Sequence, residues 1–322
     1  MYDTLNNSSI FGSLIKLSKS KKEFRVLNGK DVLWFPIQIP QNVSLIEMLN
    51  NSLSNYIKLL SASKEIIGEV GDIICIVSDV SKRLIEVLNH YRNGDIIESF
   101  EVFSRMMDDK YNNCLPIKKV ESNIILYRMR SKTDIKEKEE FYYLPVSMRH
   151  KCSSERFSIA GYPCLYLGYS KKDCMTEVSN IGSIIGLSLK ENVNINVLDL
   201  AFYYQQKERK DFVNYLKAWP LIAACYMVQC NERAKDASFK EEYIIPQMLT
   251  AYLKHKYNEL NIDGICYYSV RNENLNPQGE GEVDYRNLVL FPYNNDVNEE
   301  NGTNRYELCD RFEWYQPFNV GK

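Results

Sequence analysis

Hydrophobic and polar positions over the first third of the chain follow a helical period. Over residues 44–107 apolar side chains recur at steps of three and four, as Ile46, Leu49 and Leu53 do. This spacing places them along one face of a helix. We therefore predict a mainly helical region over residues 1–115, with two short strands near its beginning, at 23–27 and 32–35.

Beyond residue 115 short apolar runs alternate with longer amphipathic segments. The short runs predict strands and the longer segments predict helices. We expect strands at 124–129, 164–167, 184–189, 195–200, 264–270 and 287–291, and helices at 171–180, 209–230 and 241–257. Because the connections between strands differ in length, the pattern favours an α+β fold with a mixed sheet over a doubly wound parallel sheet. We assign residues 116–322 to this second domain.

Composition and charge narrow the class of protein. The 322 residues are 45% hydrophobic and 25% charged, which is typical of folded globular proteins. Forty basic and 42 acidic residues give a formal net charge of -2, so the chain lacks the positive excess that coating a nucleic acid requires. The first residues do not resemble a secretory signal, and no apolar run is long enough to cross a bilayer. We expect a cytoplasmic protein that binds neither membrane nor nucleic acid.

Cysteine and histidine usage gives no sign of a metal centre. The nine cysteines are scattered without a CxxC pair, and the chain has only three histidines. Such a distribution is typical of reduced thiols in a cytoplasm. We predict no metal and no bound cofactor.

Motifs that hold nucleotide phosphates are missing from the sequence, which contains no GxxxxGK[ST]. In the helical region, Arg83 and His90 are seven residues apart and so share one helix face. The pair resembles the Arg–His pair of HEPN-type ribonucleases, but a solvated helix face explains the same spacing. A HEPN-like accessory region and an ordinary helical region both remain open.

Charged and aromatic residues that a core does not need are concentrated between 127 and 177. Tyr127 and Arg128 belong to the predicted strand at 124–129, and Arg130 follows it directly. Arg156 opens a second segment of this kind. Glu177 lies in the predicted helix at 171–180. One strand arginine alone is most often a salt-bridge former at the rim of a sheet. The ordered set of arginines followed by a carboxylate indicates a functional site instead.

In this order the residues resemble the RES family, named for an arginine, a glutamate and a serine. The resemblance covers residues 124–293. Its pieces are Tyr127-Arg128, the Arg-aromatic-x-x-x-Gly-x-Pro-x-Leu-Tyr-Leu block at 156–167, Glu177, Leu198-Asp199-Leu200, Trp219-Pro220-Leu221, the segment 243–249, Asp263-Gly264-Ile265, Tyr267, Ser269 and the run at 287–291. Two features depart from the family pattern: Ser158 stands where short members usually have Asn, and an acidic insert occupies 272–285.

The resemblance implies a split mixed sheet similar to that of ADP-ribosyltransferase toxins. It implies an enzyme that destroys NAD by breaking the nicotinamide–ribose bond, with water or phosphate as the acceptor. Family members include toxins held in check by Xre-type antitoxins, so an antitoxin or immunity protein is an expected partner. The implied catalytic residues are Glu177, Arg128 and Ser269. Arg156, Tyr166, Tyr127 and Arg130 are the implied substrate-binding residues.

These residue types suit the chemistry on independent grounds. Nicotinamide leaves as a neutral molecule, so the barrier lies in the positive charge that develops on the ribose. A carboxylate near the anomeric carbon stabilises that charge, as carboxylates do in glycosidases. The planar guanidinium groups of arginines bind a diphosphate in a bidentate manner. We therefore predict NAD as substrate and phosphate as a candidate co-substrate.

Two other functions fit the same residues. One is an ADP-ribosyltransferase that modifies a macromolecule, and the other is a sensor module that binds NAD or a partner without turnover. The helical region is open to three interpretations as well: antitoxin docking, homo-oligomerisation through its helices, or sensing of a trigger.

Overall fold

The protein is described here by a computed structural model. It describes residues 7–27, 30–68, 70–111, 115–201, 209–230, 239–271, 285–293 and 306–321. The helices in these residues are α1 (Asn7–Ser20), α2 (Leu45–Ala62), α3 (Lys64–Ile67), α4 (Gly71–Arg92), α5 (Ile96–Lys110), α6 (Lys171–Glu177), α7 (Arg209–Cys225), α8 (Ile244–His255), α9 (Tyr257–Leu260) and α10 (Glu307–Asp310). The strands are β1 (Ile37–Ile39), β2 (Ile117–Lys119), β3 (Leu126–Arg130), β4 (Leu165–Gly168), β5 (Gly182–Leu189), β6 (Asn196–Asp199), β7 (Met227–Gln229), β8 (Gly264–Tyr268), β9 (Arg286–Leu290), β10 (Phe312–Trp314) and β11 (Phe318–Val320).

The chain forms two compact units. The helical unit holds the described residues up to 116 and those between 209 and 248, and the sheet unit holds 117–201 and the described residues from 249 onward. The sequence predicted a domain boundary between residues 115 and 116 and therefore placed residues 209–248 in the second domain. In the structure the described residues of this segment belong to the helical unit. The physical reason is that α7 supplies Trp219 to the core of the helical unit, where its ring stacks on Tyr56 at a centroid distance of 4.0 Å.

The helices predicted over 44–107 are confirmed as α2, α3, α4 and α5. Helix α2 begins after Ser44, whose hydroxyl accepts a hydrogen bond from the backbone N–H of Glu47 at 3.1 Å. The two strands expected at 23–27 and 32–35 are wrong. A single bridge joins Arg25 and Asp31 instead, because the Asp31 carboxylate accepts from the backbone N–H of Leu33 and forms a local turn.

Helix α7 runs through Pro220, although a proline in a helix interior usually causes a kink or a break. A proline has no backbone N–H, so the carbonyl of Leu216, four residues earlier, lacks its usual helical donor. The hydroxyl of Tyr56 donates to this carbonyl at 3.0 Å. A side chain from α2 thus satisfies the acceptor that the proline leaves open.

The sheet unit is built around one mixed sheet of nine strands. Its order is β10-β5-β3-β4-β9-β8-β6-β2, and β11 pairs with the other half of β5. The pair β6–β8 is parallel, and the remaining pairs of this sheet are antiparallel. The α+β class and the mixed sheet predicted from the sequence are therefore confirmed. All six strands expected beyond residue 115 are present, with ends shifted by at most two residues.

Strands β3 and β4 are joined at one position only, where Tyr127 faces Gly168. On either side, β3 pairs with β5 along its whole length and β4 pairs with β9 along its whole length. The sheet therefore consists of two well-paired halves that meet at a narrow junction, which agrees with the expected split sheet. A likeness to ADP-ribosyltransferases in particular stays a prediction.

The two faces of this sheet carry different residues. Alternation along each strand places Leu165, Leu167, Leu288 and Cys266 on one face, where they form the main hydrophobic core. The opposite face, which we call the site face, carries Tyr166, Tyr267, Ser269, Asn287 and the packed helix α6. Within the described part of the chain, no helix combines the length and the apolarity that a membrane crossing requires.

Candidate functional site

The carboxylate of Glu177 lies at the last residue of α6, on the site face. Its Oε1 accepts two hydrogen bonds, from the Ser269 hydroxyl at 2.5 Å and from Nδ2 of Asn287 at 3.2 Å. Both donors are buried, with Ser269 0% and Asn287 6% exposed. The structure thus brings together Glu177 and Ser269, which the sequence placed in one site, and adds Asn287.

Strand pairing explains why these donors meet. Ser269 continues β8, and its backbone N–H donates to the carbonyl of Tyr285 at 2.9 Å. Asn287 lies in β9 directly opposite Tyr267, so Tyr267, Ser269 and Asn287 share the site face. Asn287 was missed as a site residue because the sequence alone does not fix which strands pair.

The other carboxylate oxygen of Glu177 has a different partner. Nε of Arg271 lies 3.1 Å from Oε2, and the Arg271 side chain is 60% exposed against 26% for Glu177. Arg271 was not predicted as a site residue from the sequence. The signal that points to it is the two-residue spacing of Tyr267, Ser269 and Arg271 along one strand and its continuation. Residues 272–284 of the acidic insert at 272–285 lie outside the described residues.

Helix α6 packs unusually close to β4, and this closeness fixes the position of Glu177. A Cβ on Gly168 would lie 2.7 Å from Sγ of Cys174 and 3.2 Å from Oδ2 of Asp173. Sγ of Cys174 also donates to the carbonyl of Tyr127 at 3.3 Å. Burial, followed by the charge of Asp173, raises the pKa of Cys174 to about 12, so at neutral pH the thiol keeps the proton that this contact needs.

Tyr267 lies in the middle of the charged groups of the site. Burial is the main reason why the pKa of its phenol lies well above the ordinary value. Tyr166 and the carboxylates of Glu177 and Asp173 raise this pKa further, whereas Arg156 lowers it. All four groups are therefore near enough to act on the ionisation of Tyr267. Tyr267 stays a neutral phenol at physiological pH.

The segment that begins at Arg156 packs beside Tyr267. Arg156 is buried, at 7% exposure, and the next ring, Phe157, lies 4.7 Å from that of Tyr267. Ser158, the departure from the family pattern, accepts a hydrogen bond from the Tyr166 hydroxyl at 3.0 Å. Ser158 therefore orients Tyr166, and the structure places Arg156 and Tyr166 on the same side of the sheet as Glu177.

Arg128 lies where β3 and β4 separate. Its side chain is 8% exposed, and its Nη1 donates to the carbonyl of Tyr166 in β4 at 2.9 Å. Among the described residues its Nε has no hydrogen-bond partner. Burial lowers the pKa of Arg128 to about 9, and the neighbouring positive charge of Arg130 is the second cause. The guanidinium is therefore a buried cation at neutral pH. Contacts among the described residues link Glu177 to Ser269, Asn287 and Arg271, not to Arg128.

Arg130 and Tyr127 each contact a segment next to β3, and their role in substrate binding stays a prediction. Nε and Nη2 of Arg130 donate to the carbonyls of Glu140 and Tyr142, at 3.1 and 2.7 Å, so the side chain ties the following loop to β3. The ring of Tyr127 lies 5.6 Å from Nζ of Lys171, at the first residue of α6. The Tyr127 carbonyl accepts from Sγ of Cys174, so Tyr127 contacts α6 ahead of Glu177, which is the last residue of this helix.

Arg83 and His90 of the helical unit each contact surface carboxylates. Arg83 contacts Asp79 at 3.1 Å and Asp109 at 2.9 Å, and Nδ1 of His90 lies 3.4 Å from Asp95. These contacts tie α4 to α5 and to the turn between them. The arrangement favours the solvated helix face over a nuclease pair.

Metal-ligating side chains do not converge in the part of the chain that the structure covers, where no group of three His, Cys, Asp or Glu residues has a suitable arrangement. The chemistry available at the site face is that of a fixed carboxylate, hydroxyl and amide donors, and guanidinium groups.

Comparison with known proteins gives one informative match. The chain is 34% identical over 164 residues to a protein of Bacillus subtilis (strain 168) named "Putative toxin YopC". The aligned part covers 44% of this chain and 36% of that protein, so the chain spans about a third of its relative's length. No family model matches the chain, and no solved structure matches it. Over this part, the chain is similar to a protein that bears the name of a toxin.

Proposed function

We propose that the sheet unit cleaves the nicotinamide–ribose bond of NAD. The observation that carries this proposal is the carboxylate of Glu177, whose Oε1 is fixed by buried donors from two adjacent strands. A carboxylate held in this way is pre-organised to face a positive charge, since it need not reorient when the charge develops. Its second oxygen faces the more exposed side of the site, where a substrate can approach.

The proposed reaction needs no acid. The bond between the anomeric carbon and the pyridinium nitrogen breaks, and its electron pair neutralises the positive charge of that nitrogen. The ribose becomes cationic in the transition state, and Glu177 stabilises it. A new bond then forms to an oxygen of water, which loses a proton, or to an oxygen of phosphate. The products are nicotinamide and either ADP-ribose or its 1''-phosphate.

The remaining residues serve substrate binding in this proposal. Arg128 and Arg156 are buried cations on β3 and on the segment before β4, and guanidinium groups bind diphosphates well. Tyr166, oriented by Ser158, is suited to stack on the nicotinamide ring. Tyr127 and Arg130 support the site through the position of α6 and of the loop after β3.

The biological role that we propose is that of a toxin. Support comes from the name of the B. subtilis relative and from the resemblance to the RES family. Loss of NAD arrests a cell, so such a protein needs an antitoxin or immunity protein. The helical unit is our candidate for contact with it or for homo-oligomerisation.

Product analysis of the purified protein incubated with NAD, with and without phosphate, tests the proposal. We expect nicotinamide release, loss of release in Glu177→Ala, and full release in the control Glu313→Ala, which removes an exposed carboxylate of β10. The expected second product is ADP-ribose, or its 1''-phosphate when phosphate is present. Label from NAD on a macromolecule would instead identify a transferase. Binding of NAD without nicotinamide release would identify a sensor module and overturn the proposal.

A further inference from the structure

The two oxygens of Glu177 are held by partners of unlike strength. Oε1 is bound by Ser269 and Asn287, which are neutral, buried donors. Oε2 is bound by Arg271, which is charged and largely exposed. The first pair of contacts is shielded from water, whereas the ion pair is open to solvent. A ligand that reaches the site therefore meets the Arg271 side of the carboxylate first.

An ion pair with one exposed partner is easily broken. Such pairs contribute little to stability, because solvent screens the charges and the long side chain loses rotamer freedom. Within the described residues, Glu177 is the acidic group that Arg271 contacts. A diphosphate carries more negative charge than one carboxylate and binds a guanidinium in a bidentate manner. It competes favourably for Arg271.

We propose that Arg271 is a displaceable counter-ion that changes partner when an anionic ligand binds. In the free protein it neutralises Glu177. With a diphosphate-containing ligand bound, it moves onto a phosphate group and frees Oε2 for the ribose. This inference rests on the proposed function for the identity of the ligand, and it assigns a binding role to a residue that is not among the motif residues of the resemblance.

Competition for Arg271 makes a specific prediction about binding free energies. Removing the charge of Glu177 releases Arg271, so Glu177→Gln should tighten binding of an anionic ligand. Part of that gain comes simply from removing a repulsive carboxylate, and this part remains when Arg271 is absent. The difference between the two backgrounds isolates the contribution of the switch, as in any double-mutant cycle.

The experiment is calorimetric titration of the full chain with ADP-ribose and, separately, with inorganic pyrophosphate. The four proteins are the wild type, Glu177→Gln, Arg271→Gln and the double variant. We expect Glu177→Gln to tighten binding about tenfold when Arg271 is present and less than about threefold when it is replaced. Arg271→Lys should retain part of the effect, since it keeps the charge and loses the bidentate geometry. Coupling with both probes indicates recognition of the diphosphate, and coupling with ADP-ribose alone indicates that the nucleoside is needed.

The matched control is Arg105→Gln in the helical unit. Arg105 is 57% exposed and pairs with Glu98 at 2.9 Å, so it resembles Arg271 in exposure and in partner. It should leave binding of both probes unchanged. Equal tightening by Glu177→Gln in the two backgrounds, or no binding of either probe by any variant, overturns the inference. Coupling between Glu177 and Arg271 in a protein that releases no nicotinamide would support the inference and contradict the proposed reaction. Nicotinamide release without this coupling would support the reaction and contradict the inference.

Discussion

Ser269 donates a hydrogen bond from its hydroxyl to Oε1 of Glu177, across 92 positions of the chain. The hydroxyl is fully buried directly after β8, and the carboxylate ends helix α6, which packs over the junction of β3 and β4. The helix and the strand pair β8–β9 thus contribute to one site. This relationship makes Ser269 a positioning residue for Glu177.

Replacing Ser269 by alanine should lower the rate of nicotinamide release about 10- to 100-fold, because the carboxylate loses one of the two donors that fix Oε1. Ser269→Thr, which keeps the hydroxyl, should retain more activity than Ser269→Ala. The rate constant and KM are measured separately, and the loss should appear in kcat. Ser188→Ala is the control, since this mostly buried serine of the same sheet shares its hydrogen bond with Tyr315. Equal loss in both alanine variants would contradict the positioning role.

Asn287→Asp places a second carboxylate within hydrogen-bond distance of Glu177. Like charges this close disfavour the ionised state of the pair. Because the reaction requires a negative carboxylate, the acidic limb of the pH–rate profile should move upward by about one pH unit. Asn287→Ala loses the amide donor without adding charge, so its profile should move less. Superimposable profiles for the two variants would show that Asn287 does not act on Glu177.

Gly168→Ala should displace α6, since the new Cβ would lie 2.7 Å from Sγ of Cys174. We expect a loss of about 1–3 kcal/mol in the free energy of unfolding, as for other overpacked sites. Nicotinamide release should fall as well, because Glu177 moves with the helix. The double variant Gly168→Ala with Cys174→Ala removes the clash, and it should regain part of both properties. Urea denaturation and product release are measured on all three variants and the wild type, and the absence of any rescue would argue against the clash.

Asp199 provides a pH dependence of stability. Burial raises the pKa of its carboxyl above the ordinary value of 3.8, although Lys118 and Arg286 lower it. The native state therefore holds a proton that the unfolded state has already lost, and this contribution to stability disappears as pH rises through the native pKa. Asp199→Asn keeps the acceptor for the Ala201 N–H and has no charge to bury. Its gain in the free energy of unfolding should be larger at pH 7 than at pH 4, and an equal gain at both values would refute this account.

Sequence patterns predicted the strands and helices whose formation depends on residues close together in the chain. Short apolar runs located the strands, as the run at 184–189 did for Gly182–Leu189, because a strand buried on both faces leaves a continuous hydrophobic signature. The helix that carries Glu177 was also predicted from its own residues. Its N-cap is local as well, because the Ser170 hydroxyl accepts a hydrogen bond from the backbone N–H of Asp173.

What the sequence did not predict depends on contacts between distant segments. Helical periodicity shows that α7 has a buried face, but not that Trp219 stacks on Tyr56 in the helical unit. The role of Asn287 depends on which strand lies beside which, and residue spacing within one strand does not contain that information. The spacing of Tyr267, Ser269 and Arg271 indicates a shared face, but not that Arg271 contacts Glu177. The exposed ion pair of Arg271 is likewise a product of the fold.

Arg128 and Arg130 are two residues apart on β3 and should respond oppositely to replacement by methionine. Arg128 is a buried cation with one hydrogen bond to a carbonyl, so its replacement by methionine loses that bond but no longer buries a charge, and the two effects on stability oppose each other. Arg128→Met should therefore keep the free energy of unfolding within about 1 kcal/mol of the wild type while lowering nicotinamide release at least about 100-fold. Arg130 donates to two carbonyls of the following loop, so Arg130→Met should lose about 2 kcal/mol of stability and retain most of the rate per folded molecule. Denaturation curves and rates for both variants decide the assignment. A stable but inactive Arg130→Met would return Arg130 to the substrate-binding residues, and an unstable but active Arg128→Met would remove Arg128 from them.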